Sequence, residues 1–260
     1  MLPAAVERIL RTVPDDALVL DVGAWAAPFN RADWVLDLMP YESRGGDGAH
    51  GPPWERFGAR AWVQRDACDK APWPWPDDHF AFATCVATLE ELRDPIWACQ
   101  ELSRVARAGY VEVSTVESEL VHEAEGGGGG PWLGREEHRW FCELSGGELV
   151  FTHKPHSIHH DWSLRVLPRW RERMAPEDHV QGLFWERSLP ARERFLVGPE
   201  RDAALDQLRR RLHERFEPST AEVRTRQARD VARQGVNLAR KPARQAADRV
   251  LGELARRRER

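Results

Sequence analysis

The most constraining stretch of the chain is Ala17 to Asp37, ALVLDVGAWAAPFNRADWVLD. An apolar run, Leu18 to Leu20, is closed by Asp21, and Gly23 follows two residues later. A turn of small residues leads to Pro28 and Phe29, and a second apolar run, Trp34 to Leu36, ends in Asp37. Strand, tight turn, crossover and a strand ending in an acid is the sequence form of a nucleotide-binding βαβ unit. Gly23 lets the backbone turn sharply and approach a neighbour where a Cβ would clash. Asp37 lies near the spacing at which an acid on the second strand takes the two hydroxyls of a ribose.

The rest of the chain extends this pattern. Apolar residues at Val6, Ile9, Leu10 and Val13 predict a helix over Pro3 to Val13, broken by Pro14. Ala61 to Gln64 reads as a third strand. APWPWP, Ala71 to Pro76, cannot be helix. The continuous apolar run Phe80 to Val86 predicts a buried parallel strand. Asp94-Pro95 opens a helix carried by Ile96, Trp97, Cys99, Leu102 and Val105, and Tyr110 to Val113 is a fifth strand. Beyond Ser114 the pattern changes. Five glycines run from Gly126 to Gly130. Arg139 to Leu144 and Glu148 to His153 flank Ser145-Gly146-Gly147, a hairpin signal. Val180 to Glu186 and Phe195 to Val197 are further strand candidates, and the chain turns helical and charged from Pro199. The expected organisation is an α/β domain over 1–198, with a core over 1–115 and an acceptor-side extension over 116–198, followed by a helical tail over 199–260. The expected fold class is α/β: a Rossmann-like open, mainly parallel sheet with helices on both faces, a β-hairpin insertion and a helical C-terminal tail.

Charge and cysteine usage narrow the class. Residues 1–199 hold 21 Lys+Arg against 32 Asp+Glu, while residues 200–260 hold 17 against 10. An acidic body argues against a nucleic-acid partner. The basic tail suits a peripheral membrane surface or a partner protein. Four scattered cysteines without CxxC spacing read as buried thiols of a reducing, cytoplasmic compartment. No transmembrane run or signal peptide is expected.

Several segments in order carry a family likeness: VLDVG, Asp37, Asp66-Ala67, PWPWPDDHFAFATC, and TLEELRDPIWACQELSRVARAGYVEV. Together they resemble a class I S-adenosylmethionine (SAM)-dependent methyltransferase, of the broad type 11-like kind that acts on small molecules. HRWF and a later strand ending in Lys-Pro are similar to a subgroup tied to glycan or secondary-metabolite pathways. The resemblance implies SAM as cofactor, methyl transfer to a small-molecule or glycan acceptor, and an oxygen as the favoured methyl acceptor. It assigns Asp21, Gly23, Asp37, Asp66, Ala67 and Cys85 to the cofactor, with Asp37 on the ribose and Asp66 on the adenine amino group. The sequence departs from the pattern at DVGAWAAPF, where only Gly23 remains of the usual glycines. There Trp25, Ala26 and Ala27 are expected to crowd the methionine end.

Candidates for the acceptor side come from the residues themselves. Glu112, Glu117 and Glu119 lie at and just after the fifth strand, near the carboxyl edge, with Trp132 and His138 beyond, and Glu112, Glu117, Trp132 and His138 are expected to bind substrate. His156, His159 and His160 cluster before Asp161 and are the expected catalytic bases. Their spacing matches no established metal motif, and no metal ligand is assigned. Each acid also has a plainer reading, as a turn cap, a solvated strand end or an ion-pair partner. Two alternatives stay open: a non-catalytic binding or scaffold module on the same fold, and a metal-dependent enzyme using the histidines.

Overall fold

The computed structural model describes residues 1–44, 49–120, 135, 137–161, 164, 166 and 173–216. Trp132, the glycine run and the tail beyond Phe216 lie outside the described residues. The chain divides into two compact units, Met1–Glu214 and Arg215–Arg260. Every strand described belongs to the first unit.

The elements are α1 (Pro3–Thr12), β1 (Val19–Val22), β2 (Trp34–Asp37), β3 (Trp62–Gln64), β4 (Phe82–Val86), α2 (Pro95–Val105) and β5 (Ala108–Ser114). After these come β6 (Trp140–Ser145), β7 (Glu148–His153), β8 (Val180–Glu186), β9 (Ala191–Arg194) and α3 (Gly198–Phe216). Six strands form one sheet in the order β3-β2-β1-β4-β5-β8. The first five are parallel, and β8 runs antiparallel to β5, from Ala108↔Glu186 to Ser114↔Val180. The switch in strand order falls between β1 and β4, the place where ligands sit in open α/β sheets.

Period-two alternation explains the two faces. Leu20, Val22, Leu36, Ala83, Cys85, Val111 and Val113 pack with Ala98, Cys99 and Leu102 of α2. Val19, Val35, Phe82 and Tyr110 pack with Ala5 and Ile9 of α1. The sheet is therefore covered on both faces, which is why its strands read as near-continuous apolar runs.

Two crossovers differ from the βαβ form. Residues 23–33 join β1 to β2 without a helix. Pro28 denies its predecessor the helical region. Buried Arg31 holds the loop instead, donating to the carbonyls of Pro14, Asp15 and Ala17 at 2.7, 3.1 and 2.9 Å. Between β3 and β4 the prolines of APWPWP also exclude helix. Trp73 and Trp75 of that strap are buried, and α2 clamps it: Glu101 accepts the Trp73 N–H at 2.6 Å, and Arg104 donates to the Trp75 carbonyl at 2.7 Å.

The hairpin forms as expected. Ser145 pairs with Glu148 across Gly146 and Gly147, whose φ values are +62° and +82°. Two successive left-handed residues are what a type I′ hairpin turn requires. β9 joins as a parallel neighbour of β7, giving a second sheet in the order β6-β7-β9. The last strand therefore lies at Ala191–Arg194, and Phe195 and Val197 are exposed beyond it. The strand site is chosen by parallel pairing with Leu149–Thr152, not by the apolar residues that follow. All four cysteines are free and buried. Among the described residues no helix is long and apolar enough to cross a membrane.

Candidate functional site

At the tips of β1 and β2, two buried acids organise the loop between them. Asp21 accepts the Phe29 N–H at 2.8 Å and the Thr84 hydroxyl at 2.7 Å. Burial pushes its pKa up to about 6, against the lowering pull of those two bonds. Asp37 accepts the Trp25 N–H at 2.9 Å and the Met39 N–H at 2.7 Å, and burial raises its pKa also. The Trp25 indole donates to the Ser43 carbonyl, so the ring is held against the turn after β2. Gly23, at φ +74°, lies against Thr88, whose hydroxyl donates to the Gly23 carbonyl at 3.2 Å. A Cβ there would come within 2.1 Å of the Thr88 oxygen. The loops after β1 and β4 are thus stitched together at the switch point.

Beyond β3, Asp66 accepts the Cys68 N–H at 2.8 Å and pairs with Arg93 at 2.9 Å. An open depression lies here, lined by Asp66, Cys68, Asp69, Lys70, Arg93 and Asp94. Ala67 is buried, and its carbonyl accepts the Trp73 indole N–H at 3.3 Å. Two assigned residues have buried side chains. Cys85 is fully buried against α2, where burial raises its thiol pKa well above normal. Glu112 lies on the α1 face of the sheet, accepting the Leu2 N–H at 2.7 Å and the Tyr110 hydroxyl at 2.6 Å. Strand alternation turns it away from the acceptor edge. Glu117 is buried beside Arg211 of α3, at 3.3 Å.

The carboxyl ends of β4 and β5 carry a buried ionic network. Glu90 follows β4 and accepts the Ser114 N–H, at the end of β5, at 2.9 Å. His138 Nδ1 is hydrogen-bonded to Glu119, whose other oxygen meets Lys154 Nζ at 3.1 Å. Lys154 also donates to the Arg135 carbonyl at 2.5 Å. His138 Nε2 lies 3.8 Å from Glu91 Oε1. Among the described residues, His138 Nε2 and Glu90 Oε2 are buried without a hydrogen-bond partner. Desolvation raises the Glu90 pKa and opposes protonation of His138, while the Glu119 carboxylate outweighs it and raises the His138 pKa.

The histidine brought to these strand ends is therefore His138. His156, His159 and His160 lie on a 3-10 turn after β7. The rings of His156 and His159 meet edge-on at 5.7 Å, and Asp161 pairs with Arg209 of α3 at 2.9 Å. The His160 side chain and Trp132 lie outside the described residues. A cavity of about 210 Å³ separates the small sheet from α3, lined among others by Phe141, Glu143, Thr152, His153, Arg194 and Leu208. Lys154, the lysine of the Lys-Pro after β7, and Glu137 carried no site assignment in the sequence. The signal for Lys154 was a charged residue directly after an apolar strand; for Glu137 there was only its adjacency to His138.

No family model matches the chain, and no curated protein matches it. Solved structures do. A SAM-dependent methyltransferase of Thermotoga maritima, described as a possible histamine N-methyltransferase, matches at 19% identity and a TM-score of 0.27, over 44% of this chain and 51% of that one. The [4+2]-cyclase SpnF matches at 13% identity and a TM-score of 0.29, over 46% and 45%. A SAM-dependent methyltransferase of Aquifex aeolicus matches at 16% identity and a TM-score of 0.28, over 47% and 68%. The chain spans about half the length of the first two. Its own strand order, five parallel strands with the switch between β1 and β4 and an antiparallel strand beside β5, makes the described core an open, mainly parallel α/β Rossmann-like fold.

Proposed function

We propose that the chain is a SAM-dependent methyltransferase acting on a small-molecule or glycan acceptor, with oxygen as the favoured methyl acceptor. The observation that carries the reading is the pair of buried acids at the tips of β1 and β2, joined through one loop beside the switch point. Asp37 and Asp66 suit the nucleoside half of SAM: a carboxylate at the β2 tip for the ribose, and an acid beside an open depression for the base. Asp21 serves as the loop anchor. SAM supplies an electrophilic methyl group when bound. The chain's part is alignment of donor and acceptor and removal of the acceptor's proton. The buried network around His138 and Glu90 stands at the strand ends where an acceptor would lie, with His156, His159 and His160 as further acceptor-side candidates.

A second reading is a non-catalytic binding module on the same fold. It is favoured by the helix-free crossover after β1 and by the engagement of both Asp37 oxygens with backbone N–H groups. Calorimetric titration with SAM and with S-adenosylhomocysteine separates the two. Saturable heat from both supports the enzyme. Absence of heat from either, with the chain folded, sinks it and leaves the binding module.

A further inference from the structure

Residues on two separate segments converge at the ends of β4 and β5 in a way methyl transfer does not require. One ligand atom each from Glu91, Glu137 and His138 lies within 4.8 Å of the others. His138 is 1% exposed, and its Nε2 has no hydrogen-bond partner among the described residues. A buried ring nitrogen left unpaired is costly unless something fills the gap. That nitrogen lies 3.8 Å from Glu91 Oε1, whose side chain is 47% exposed.

The surroundings are built rather than incidental. The Arg139 N–H donates to the Glu90 carbonyl at 2.8 Å, and the Trp140 indole donates to the Leu92 carbonyl at 2.7 Å. The segment bearing Glu137 and His138 is therefore fastened to the segment bearing Glu91. On the far side of the ring, Glu119 holds Nδ1, which fixes the tautomer and turns Nε2 toward the two exposed carboxylates. A carboxylate behind a histidine is the usual support of a metal-bound imidazole. Four carboxylates, Glu90, Glu91, Glu119 and Glu137, gather here with three cations: Lys154, already paired with Glu119, Arg135, and Arg139, whose side chain donates to the Glu91 carbonyl at 3.1 Å.

We infer that Glu91, Glu137 and His138 form a binding site for one divalent first-row transition metal ion. One imidazole and two carboxylates make a mixed nitrogen and oxygen set suited to such ions. Ligands at about 2.1 Å on one tetrahedral ion stand roughly 3.4 Å apart, a closure that exposed carboxylates reach by changing rotamer. Solvent access at Glu91 and Glu137 leaves coordination positions for water or an acceptor. The site stands on this geometry alone and does not depend on the methyl-transfer reading.

The test uses the full chain, stripped with chelator and titrated with Mn²⁺ alone, with free Mn²⁺ read by electron paramagnetic resonance and no SAM present. The expected result is one saturable site per chain, displaced by Zn²⁺, which binds such ligand sets more tightly. The double variant Glu91→Gln/Glu137→Gln should bind at least tenfold more weakly while keeping the wild-type circular dichroism spectrum. Both side chains are exposed, so the fold should tolerate the change. Mn²⁺ should also raise the melting temperature of the wild type and not of the variant. Unsaturable binding by the wild type would overturn the inference, leaving His138 as a structural partner of Glu119. Equal binding by the variant would overturn it too, since the ion would then sit elsewhere. Because SAM is left out, failure here does not touch the methyltransferase reading, and failure to bind SAM does not touch this site.

Discussion

His138 is hydrogen-bonded through Nδ1 to Glu119, and their side chains are 1% and 2% exposed. The two are nineteen residues apart in the chain, yet they meet at the carboxyl end of β5, where Lys154 neutralises the second Glu119 oxygen. Removing one member of a buried ionic set leaves an uncompensated charge. Glu119→Ala should therefore destabilise the fold by roughly 3–5 kcal/mol. Denaturant unfolding checks this. A change below about 1 kcal/mol would show that the network is hydrated and contributes little.

Asp37 carries two burdens. Asp37→Asn keeps one acceptor oxygen, but the Trp25 and Met39 N–H groups need one on each side. The variant should lose roughly 1–3 kcal/mol of stability from the unmet N–H. It should also bind SAM at least about tenfold more weakly, through the lost charge-assisted ribose bonds. Titration calorimetry beside circular dichroism separates the two effects. A folded variant with wild-type SAM affinity would remove Asp37 from the cofactor site.

Asp21 sets a pH dependence. Its folded pKa is raised from 3.8 to about 6 by burial. The folded state thus holds a proton that the unfolded chain releases earlier. The resulting stability is fully present below about pH 3.8 and lost as pH rises through about 6. A shift of that size corresponds to roughly 3 kcal/mol. Asp21→Asn stays neutral throughout, so its stability relative to wild type should improve as pH rises from about 4 to 7, by a few kcal/mol. Melting temperatures of both proteins across that range would show it, and a constant difference would mean Asp21 is hydrated.

Gly23→Ala should destabilise through two routes. A left-handed backbone costs a residue with a Cβ about 1–2 kcal/mol. The added carbon would also meet Thr88 Oγ1 at 2.1 Å and Thr88 Cβ at 2.7 Å, so the loops after β1 and β4 must part. An unfolding midpoint within error of wild type would show that this seam yields freely.

Much of the architecture was legible in residue patterns because the signals are local. Continuous apolar runs at Leu18 to Leu20, Trp34 to Leu36 and Phe80 to Val86 mark strands buried on both faces, since no face is left for polar side chains. Asp94 before Pro95 marks a helix start, and its carboxylate does accept the Trp97 N–H at 2.9 Å. Gly146-Gly147 marks a hairpin because few other pairs adopt two left-handed residues in a row.

What tertiary structure alone decided is where polar groups point and what they meet. Glu112 and Glu119 read alike in sequence, as acids near the end of β5. Strand pleat sends Glu112 to Tyr110 and Leu2, while the turn after the strand brings Glu119 to His138. The β1–β2 crossover read as part of a βαβ unit, yet Pro28 and the Arg31 anchor make it a bare loop. Lys154, Glu119 and His138 come from three segments distant in sequence, and no periodicity links them. By itself the sequence determined the strands and helices of the core from α1 to β5 and the β6–β7 hairpin, because backbone preference and apolar spacing act over a few residues, whereas β9 was placed by its pairing with β7. The ionic network, and with it the candidate metal site, was decided by the tertiary fold, because charged groups find partners across space and only packing sets those distances.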